Sequence, residues 1–436
     1  MIEVDISRVW NCFSLPELLM LEREVFDAHM ALPDTVAGGM IPSREELERI
    51  QTFAQRLREH AETVLVLGSG GSVQAAQAAI ELLQGPNHNR GKGKGDPVLL
   101  FSGHSLSTRH WYELLRLTEG RDFYVICVSA DGRDPALGLA FRGIREELEK
   151  RFGREEADCR ICVITEDADT PLRSMTRERG WEYFPQTGCP DHFGAFGPAA
   201  LLTMAVAGLN IPELLRGCEE SREDWDLRSF ENPLWLYCAV RNLMYRGGRR
   251  TEILAGSEPG LEAFGRWWQQ LFCGAEGKKG KGILPVCQIY PGALRGLGAL
   301  LQDGGDRVFE TVLRFDPPDL PYALRGEDGD PDSFNYLAGE TLGDVNERVM
   351  AAVMDSHGDG GCGVISMDCG TLTPRKLGAL FAFMELAAAL SAGIQGVDPM
   401  TDSAGIRCRE AILRRLDAPA AGKDIPGALE KSGGNS

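Results

Sequence analysis

The sequence predicts an α/β protein with two parallel-sheet α/β sandwich domains and flanking N- and C-terminal helices. Short apolar strands alternate with amphipathic helices from Thr63 onward, and the same order begins again after Asn232. Strict alternation indicates a parallel sheet with helices on both faces. With 436 residues, 43% of them apolar, the chain is long enough for about two or three domains. The repeated plan suggests a duplication, with a cleft between the halves.

The first domain is expected over residues 61–217, after an N-terminal helical segment at 1–60. Its predicted strands are short apolar runs at Thr63–Leu67, Val98–Phe101, Phe123–Val128 and Arg160–Thr165. Helices are predicted between and after them, from Ser72, near His110, through Lys150 and near Arg173. A further apolar helix over Asp191–Gly208 closes this domain.

The second domain is expected over residues 233–416 and includes a C-terminal helix. The charged stretch 218–232 is the predicted linker, and residues 417–436 are too poor in apolar side chains to fold alone. The helices are expected at Pro233–Tyr245, Leu261–Phe272, Gly343–Ser356 and Lys376–Ile394. The strands are expected at Thr251–Ala255, around Val308–Arg314 and at Gly363–Met367.

Charge and composition exclude several classes of protein. Lys and Arg number 46 against 64 Asp and Glu, a net charge of −18, so no basic surface is expected for nucleic acid or for an anionic membrane.

The sequence has no apolar run near the roughly 20 residues that span a bilayer and no leader at Met1–Asp5, which favours a cytoplasmic protein. The close pair Cys159 and Cys162 has no second pair to complete a zinc site, so neither a metal nor a cofactor is expected.

A glycine-rich turn follows the first predicted strand. Val64–Leu67 runs into Gly68-Ser69-Gly70-Gly71-Ser72, after which a helix begins, so free backbone N–H groups could hold an anion there. The turn lacks the dinucleotide-binding fingerprint, because Val73 stands at the third glycine position. Two interpretations stay open: contact with a phosphate, or close packing of a helix on the sheet.

These residues resemble the glucose-6-phosphate isomerases, whose turn reads G-I-G-G-S and whose two sugar-isomerase domains match the duplicated plan. The resemblance covers about Val64 to Arg409 and is strongest to the bacterial branch. It is carried by the runs Phe264–Phe272, Glu276–Lys278, Lys281–Ile283, Phe309–Val312, Asn335–Gly339 and Gly396–Pro399. It implies the interconversion of glucose 6-phosphate and fructose 6-phosphate, and a homodimer.

The positions that carry the family's chemistry are substituted. The family's base, the first glutamate of E-S-x-G-K, matches Gly274, and Glu276 is a carboxylate displaced by two residues. The ring-opening histidine matches Arg295, whose guanidinium stays protonated. The enediolate-stabilising arginine of G-G-R matches His192 in Pro190-Asp191-His192. Glu276, His192 and Arg295 are therefore the candidate catalytic replacements.

The phosphate-binding positions have changed as well. The family loop S-K-S-G-T-T-T matches Ser129–Pro135, where three hydroxyls and the lysine are lost and Arg133 stands between Asp131 and Asp134. The family's C-terminal lysine falls on Arg409 or Glu410. The candidate substrate-binding residues, all at family positions, are Gly70, Gly71, Ser72, Ser129, Gly132, Arg133, Gln270 and Lys278.

Three functions remain open from the sequence. The favoured hypothesis is a degenerate member with little or no isomerase activity, which could still bind a sugar phosphate. The alternative is an active isomerase of glucose 6-phosphate or a related sugar phosphate that uses regrouped residues such as His192, Glu276, Arg295 and Lys278. The third is an interaction protein without a ligand. A carboxylate within hydrogen-bond reach of a cleft that contains His192 would favour the active isomerase.

Overall fold

The structure, a computed structural model, describes residues 2–36, 41–92, 95–186, 189–225, 227–318, 321–401 and 403–417. The strands are β1 (Glu3–Arg8), β2 (Thr63–Leu67), β3 (Val98–Ser102), β4 (Phe123–Val128), β5 (Ile161–Glu166), β6 (Glu182–Gln186), β7 (Thr251–Gly256), β8 (Leu284–Ile289), β9 (Val308–Arg314) and β10 (Gly363–Asp368). The helices of the first half are α1 (Leu15–Met20), α2 (Glu22–Met30), α3 (Arg44–His60), α4 (Gly71–Gln84), α5 (Thr108–Thr118), α6 (Pro135–Phe152), α7 (Arg154–Cys159), α8 (Pro171–Arg179) and α9 (Pro198–Val206). Those of the second half are α10 (Ile211–Asp224), α11 (Pro233–Arg246), α12 (Leu261–Glu276), α13 (Ala299–Gly304), α14 (Leu342–Asp359), α15 (Pro374–Ile394) and α16 (Ser403–Arg415).

The first sheet is parallel throughout and has the order β3-β2-β4-β5-β6. Its inner strand β2 is buried at every position, because helices cover both faces of the sheet. Val64 and Val66 pack with residues of α3 and α9, whereas Leu65 and Leu67 pack with residues of α5 and α6. The predicted α/β class with parallel sheets is confirmed.

The second sheet has the order β1-β10-β9-β7-β8, in which only β1 runs antiparallel among the described strands. Strand β1 pairs with β10 in a register that sets Val4 opposite Met367. The prediction of a helical segment at 1–60 is therefore wrong at Glu3–Arg8, although α1, α2 and α3 follow. Polar and apolar residues alternate along β1, as an edge strand with one face toward solvent requires.

The predicted linker at 218–232 is not a simple connection, because residues up to Asp224 belong to α10. Helix α10 packs closely on α15: a Cβ placed on Gly217 would lie 1.8 Å from the carbonyl oxygen of Arg375, and one on Gly378 would lie 1.9 Å from that of Leu214. Only glycine permits this approach of two backbones. Residues 1–401 form one compact unit, and α16 belongs to a second unit that begins at Asp402.

Helix α15 corrects one expectation from the sequence. It has 21 residues and a mean hydropathy of 1.8 in its most apolar window, so it is long and apolar enough to cross a membrane. The prediction that no such segment exists is wrong. However, 83% of that window is buried against other parts of the chain, as is typical of a central core helix. The predicted tail at 417–436 lies outside the described residues beyond Asp417.

Candidate functional site

The order of the first sheet places a crevice at the ends of β2 and β4. Strand β2 comes first along the chain in this sheet, and the next two strands, β3 and β4, lie on opposite sides of it. In open α/β sheets, ligands bind at such a reversal of strand order, outside the carboxyl ends of the strands. Gly68 follows β2, and a Cβ placed on it would lie 3.2 Å from the carbonyl oxygen of Val128 at the end of β4. The turn Gly68–Ser72 and the loop from Ser129 therefore meet at this crevice.

The carboxylate of Asp191 already occupies the glycine-rich turn. The hydroxyl of Ser72 donates to Asp191 Oδ1 at 2.6 Å, and the amide of Gln186 donates to the same oxygen at 3.2 Å. A Cβ placed on Gly70, the N-cap of α4, would lie 1.7 Å from Asp191 Oδ2. Carboxylates are stabilised at a helix N-terminus by free N–H groups and by the helix dipole. The anion at this turn is thus the carboxylate of Asp191, a side chain of the protein itself.

His192 fills the space around Gly274, the residue that the motif comparison predicts at the family's base position. A Cβ placed on Gly274 would lie 2.7 Å from His192 Cγ, so no larger side chain fits there without a shift of the imidazole. The ring is buried, and His192 Nε2 donates to the carbonyl oxygen of Pro399 at 3.1 Å. A Cβ on Gly71 would lie 2.7 Å from His192 Cα. Both glycines therefore serve the close packing of the segment that carries Asp191 and His192.

Glu276 lies in a buried ionic cluster. Its side chain is fully buried and pairs with Nη1 of Arg241, whose Nε donates to Glu252 at 2.5 Å. Burial alone would lower the pKa of Arg241, but Glu252 and Glu276 raise it, so the guanidinium stays charged. Arg241 Nη1 also donates to the hydroxyl of Ser391 at 2.8 Å. These contacts support a structural role for Glu276.

Two lysines and His192 hold the loop that follows α15. Lys278 Nζ donates to the carbonyl oxygen of Asp398 at 2.7 Å, and Lys281 Nζ donates to that of Gln395, the C-cap of α15, at 2.6 Å. Together with the bond from His192 to Pro399, these contacts satisfy three carbonyls at and beyond the helix end. The predicted substrate lysine, Lys278, thus contacts a backbone loop of its own chain.

The loop at the phosphate-binding positions is also closed by its own side chains. The N–H of Gly132, which has a φ of 73°, donates to the hydroxyl of Ser129 at 2.9 Å. The N–H of Arg133 donates to Asp131 Oδ1 at 3.0 Å. Asp134 caps α6 by accepting from the N–H of Leu137 at 2.9 Å. The half-buried guanidinium of Arg133 makes no hydrogen bond within the described part of the chain.

The remaining predicted site residues lie in two different places. Gln270 Oε1 accepts a hydrogen bond of 3.2 Å from Gln74, which also donates to the carbonyl oxygen of Ser69, so Gln270 adjoins the glycine-rich turn. Arg295 is exposed in a π-helical turn, Leu294–Gly298, that follows β8 in the second sheet. No hydrogen bond or ion pair links Arg295 to the described residues of the crevice. Among the residues described, no three His, Cys, Asp or Glu side chains converge to hold a metal ion.

The sequence did not reveal the partners of these groups. In the sequence Asp191 appeared only as the neighbour of His192, and nothing indicated that it binds Ser72, which lies 119 positions away. A signal was present for the ionic cluster, because Arg241 interrupts the apolar helix α11 and Glu252 interrupts the apolar strand β7. Buried charges require partners, so these two residues could have been paired from the sequence.

Comparisons with known proteins give a consistent result. The glucose-6-phosphate isomerase of Alkaliphilus metalliredigens is 32% identical over 452 residues, which cover 99% of each chain. That of Bacillus cereus strain AH187 is 35% identical over 444 residues, or 98% of each chain. No protein-family model matches.

Solved structures show the same fold at lower identity. A hypothetical protein from Thermus thermophilus gives a TM-score of 0.80 at 19% identity, covering 96% of this chain and 100% of the other. A glucose-6-phosphate isomerase from Chlamydia trachomatis gives a TM-score of 0.71 at 15% identity, covering 90% of this chain and 78% of the other. At these identities the structural likeness extends to the fold alone.

Proposed function

Because this chain belongs to the glucose-6-phosphate isomerase family, we propose that it is a non-catalytic member with little or no aldose–ketose isomerase activity. One observation carries the proposal. Asp191 occupies the place where a bound anion would lie, and His192 occupies the place where a catalytic carboxylate would lie. Asp191 is bound to Ser72 at the start of α4, and His192 packs against Gly274.

The chemistry of the reaction supports this proposal. Proton transfer between neighbouring carbons needs a base within hydrogen-bond reach, and the enediolate needs a cation nearby. Gly274 offers no side chain, and the nearby Glu276 is fully buried in its contact with Arg241. A displacement of about 1 Å can lower a rate by orders of magnitude, so a carboxylate held elsewhere is a poor substitute.

Electrostatics argue against strong binding of a sugar phosphate in the crevice. Asp131, Asp134 and Asp191 are carboxylates at its loops, and Arg133 is the cation beside them. A phosphate dianion would have to displace Asp191 from the N-terminus of α4 while facing the other carboxylates. We therefore propose that glucose 6-phosphate and fructose 6-phosphate bind here weakly or not at all.

The test is a coupled assay that converts fructose 6-phosphate to glucose 6-phosphate, with a commercial isomerase as positive control. We expect no turnover above the blank, and no change in melting temperature with either sugar phosphate. Turnover by the pure protein would contradict the proposal. Its loss in His192→Ala, with the melting temperature unchanged, would exclude a contaminating isomerase.

The alternative, an active isomerase with regrouped residues, has one observation in its favour. Asp191 is a half-buried carboxylate directly beside His192, so a carboxylate does adjoin the histidine that replaces the family's arginine. If turnover is found, Asp191→Asn distinguishes the candidates. Loss of turnover in this variant would assign Asp191 as the base, whereas loss in Glu276→Gln at unchanged stability would assign Glu276.

The proposal extends to assembly and location. Family resemblance motivates a homodimer, and the charge of −18 together with the relatives' name, glucose-6-phosphate isomerase, motivates a cytoplasmic location. Sedimentation velocity would test the dimer by a mass twice that of one chain. Fractionation of the source cells would test the location, and recovery in a membrane fraction would contradict it.

A further inference from the structure

The second sheet has its own point of order reversal. Its first parallel strand, β7, lies between β8 and β9, so the carboxyl ends of β7 and β9 frame a crevice equivalent to that of the first sheet. A glycine at the carboxyl end of each of the two first strands, Gly256 of β7 and Gly68 directly after β2, packs in a similar way. A Cβ on Gly256 would lie 2.3 Å from Leu261 of α12, and one on Gly68 would lie 2.8 Å from Val73 of α4.

Unlike the first crevice, this one is open. Small-molecule sites typically have volumes of about 300–1,000 Å³, and the cavity here has a volume of 570 Å³. It lies between the turn at Ser257–Pro259, the end of β9 and the first turns of α14. The amide of Asn346 donates to Ser257 Oγ at 2.9 Å and so ties α14 to the turn after β7. Within the described part of the chain, no side chain caps the start of α12, whose N-cap is Gly260.

The lining combines apolar walls with an acidic rim. The apolar side chains include five from β9, the residue after it, and α14: Leu313, Phe315, Val345, Val349 and Met350. Among the described residues, four carboxylates line the cavity against one guanidinium, that of Arg314: they belong to Glu258, Asp316, Glu347 and Asp368. Arg314 is already paired with Glu347 at 3.1 Å, and Asp316 accepts from Thr371 at 3.0 Å. The half-buried carboxylate of Glu258 makes no hydrogen bond to any other described residue.

We propose that this cavity binds a small organic cation with an apolar ring or alkyl body. The ammonium group would pair with Glu258, and the apolar body would lie against Phe315 and Val345. Surplus negative charge at the rim favours a cation and disfavours a phosphate. The site is separate from the crevice of the first sheet, so its ligand is independent of whether the chain isomerises sugars.

The test compares tryptamine with tryptophol, in which a hydroxyl replaces the ammonium group, by saturation-transfer NMR on the full chain. We expect tryptamine to bind about fivefold more tightly than tryptophol, as one exposed or half-buried ion pair allows. Glu258→Gln should reduce tryptamine binding to the level of tryptophol. Glu262→Gln, which removes an exposed carboxylate of α12 that does not line the cavity, should change neither affinity.

A second variant tests the cavity itself. Val345→Phe places a larger side chain on α14 at the cavity wall and should weaken both probes while the protein remains folded by circular dichroism. Equal binding of the two probes, or tryptamine binding that is unchanged in Glu258→Gln, would overturn the proposal. So would absence of saturable binding by tryptamine, or tighter binding of inorganic phosphate in competition with it.

Discussion

The imidazole of His192 lies against the backbone of Gly274, where a Cβ would come within 2.7 Å of its Cγ. The family motifs predict that these two residues stand at the positions of the family's arginine and its catalytic glutamate. We therefore infer that the two substitutions form one structural change, in which the histidine uses the space that the missing side chain leaves. Restoring the glutamate alone would force the buried ring to move.

The first prediction concerns this contact. Gly274→Ala should lower the free energy of unfolding by about 1–3 kcal/mol, because the methyl group overpacks the ring of His192. His192→Ala in the same chain should recover most of the loss caused by the alanine at 274. Urea denaturation of the two single variants and the double variant gives the coupling free energy between the positions.

Gly138→Ala is the matched control, since Gly138 is also a helical glycine and a Cβ there would meet only the carbonyl oxygen of Gly132 at 3.6 Å. Alanine should leave stability unchanged or raise it by about 0.5–1 kcal/mol. If Gly274→Ala changes the free energy of unfolding no more than Gly138→Ala does, His192 does not pack closely on Gly274.

The second prediction separates a structural from a catalytic role of Glu276. Glu276→Gln should lower the free energy of unfolding by about 3–5 kcal/mol, because it removes one carboxylate from a buried cluster that holds a charged Arg241. Glu155→Gln, at an exposed position of α7, should have little effect. A stable Glu276→Gln variant would contradict the structural role.

The third prediction concerns pH. Burial, and then the neighbouring Lys92, lower the pKa of His88 from its usual value of 6.5. The unfolded chain therefore binds more protons at this residue than the folded chain as the pH falls below about 6.5. The contribution of His88 to stability is present above that pH and is lost below it.

His88→Gln should flatten the dependence of stability on pH in this range. The test measures the melting temperatures of both proteins between about pH 7.5 and pH 5. Both proteins have the same carboxylates, so the difference between the two melting temperatures at each pH reports on His88. A variant whose profile runs parallel to that of the unchanged chain would show that the pKa of His88 is not lowered.

The fold could be predicted where the sequence pattern has a single physical cause. Strands buried on both faces give apolar runs, and β2, β4, β5, β7, β9 and β10 were all found this way, as was one edge strand, β3, which is also an apolar run. The strands that the sequence did not predict are β1, β6 and β8, and each lies at the edge of a sheet. Edge strands carry polar residues and tolerate proline, as at Pro185 in β6 and Pro285 in β8. Their signal is therefore weak.

The site could be predicted only in part. Motif positions predict that Gly274, His192 and the loop from Ser129 are substituted, because short ordered runs keep their register, and this match stays a prediction. The contacts between these segments depend on how distant parts of the chain fold together. Ser72 and Asp191 come from different elements, and the direction of the Asp191 side chain follows from neither local sequence.

The most direct test of the account is whether Asp191 occupies an anion site. Asp191→Gly removes the carboxylate and introduces glycine, the residue that the resemblance to the family's G-G-R motif predicts at this position. Melting temperatures are measured with inorganic phosphate and with potassium chloride at equal ionic strength. We predict that phosphate raises the melting temperature of the variant by about 1–3 °C and leaves that of the unchanged chain unaffected. An equal rise in both proteins, or none in a folded variant, would contradict the claim that Asp191 fills this site.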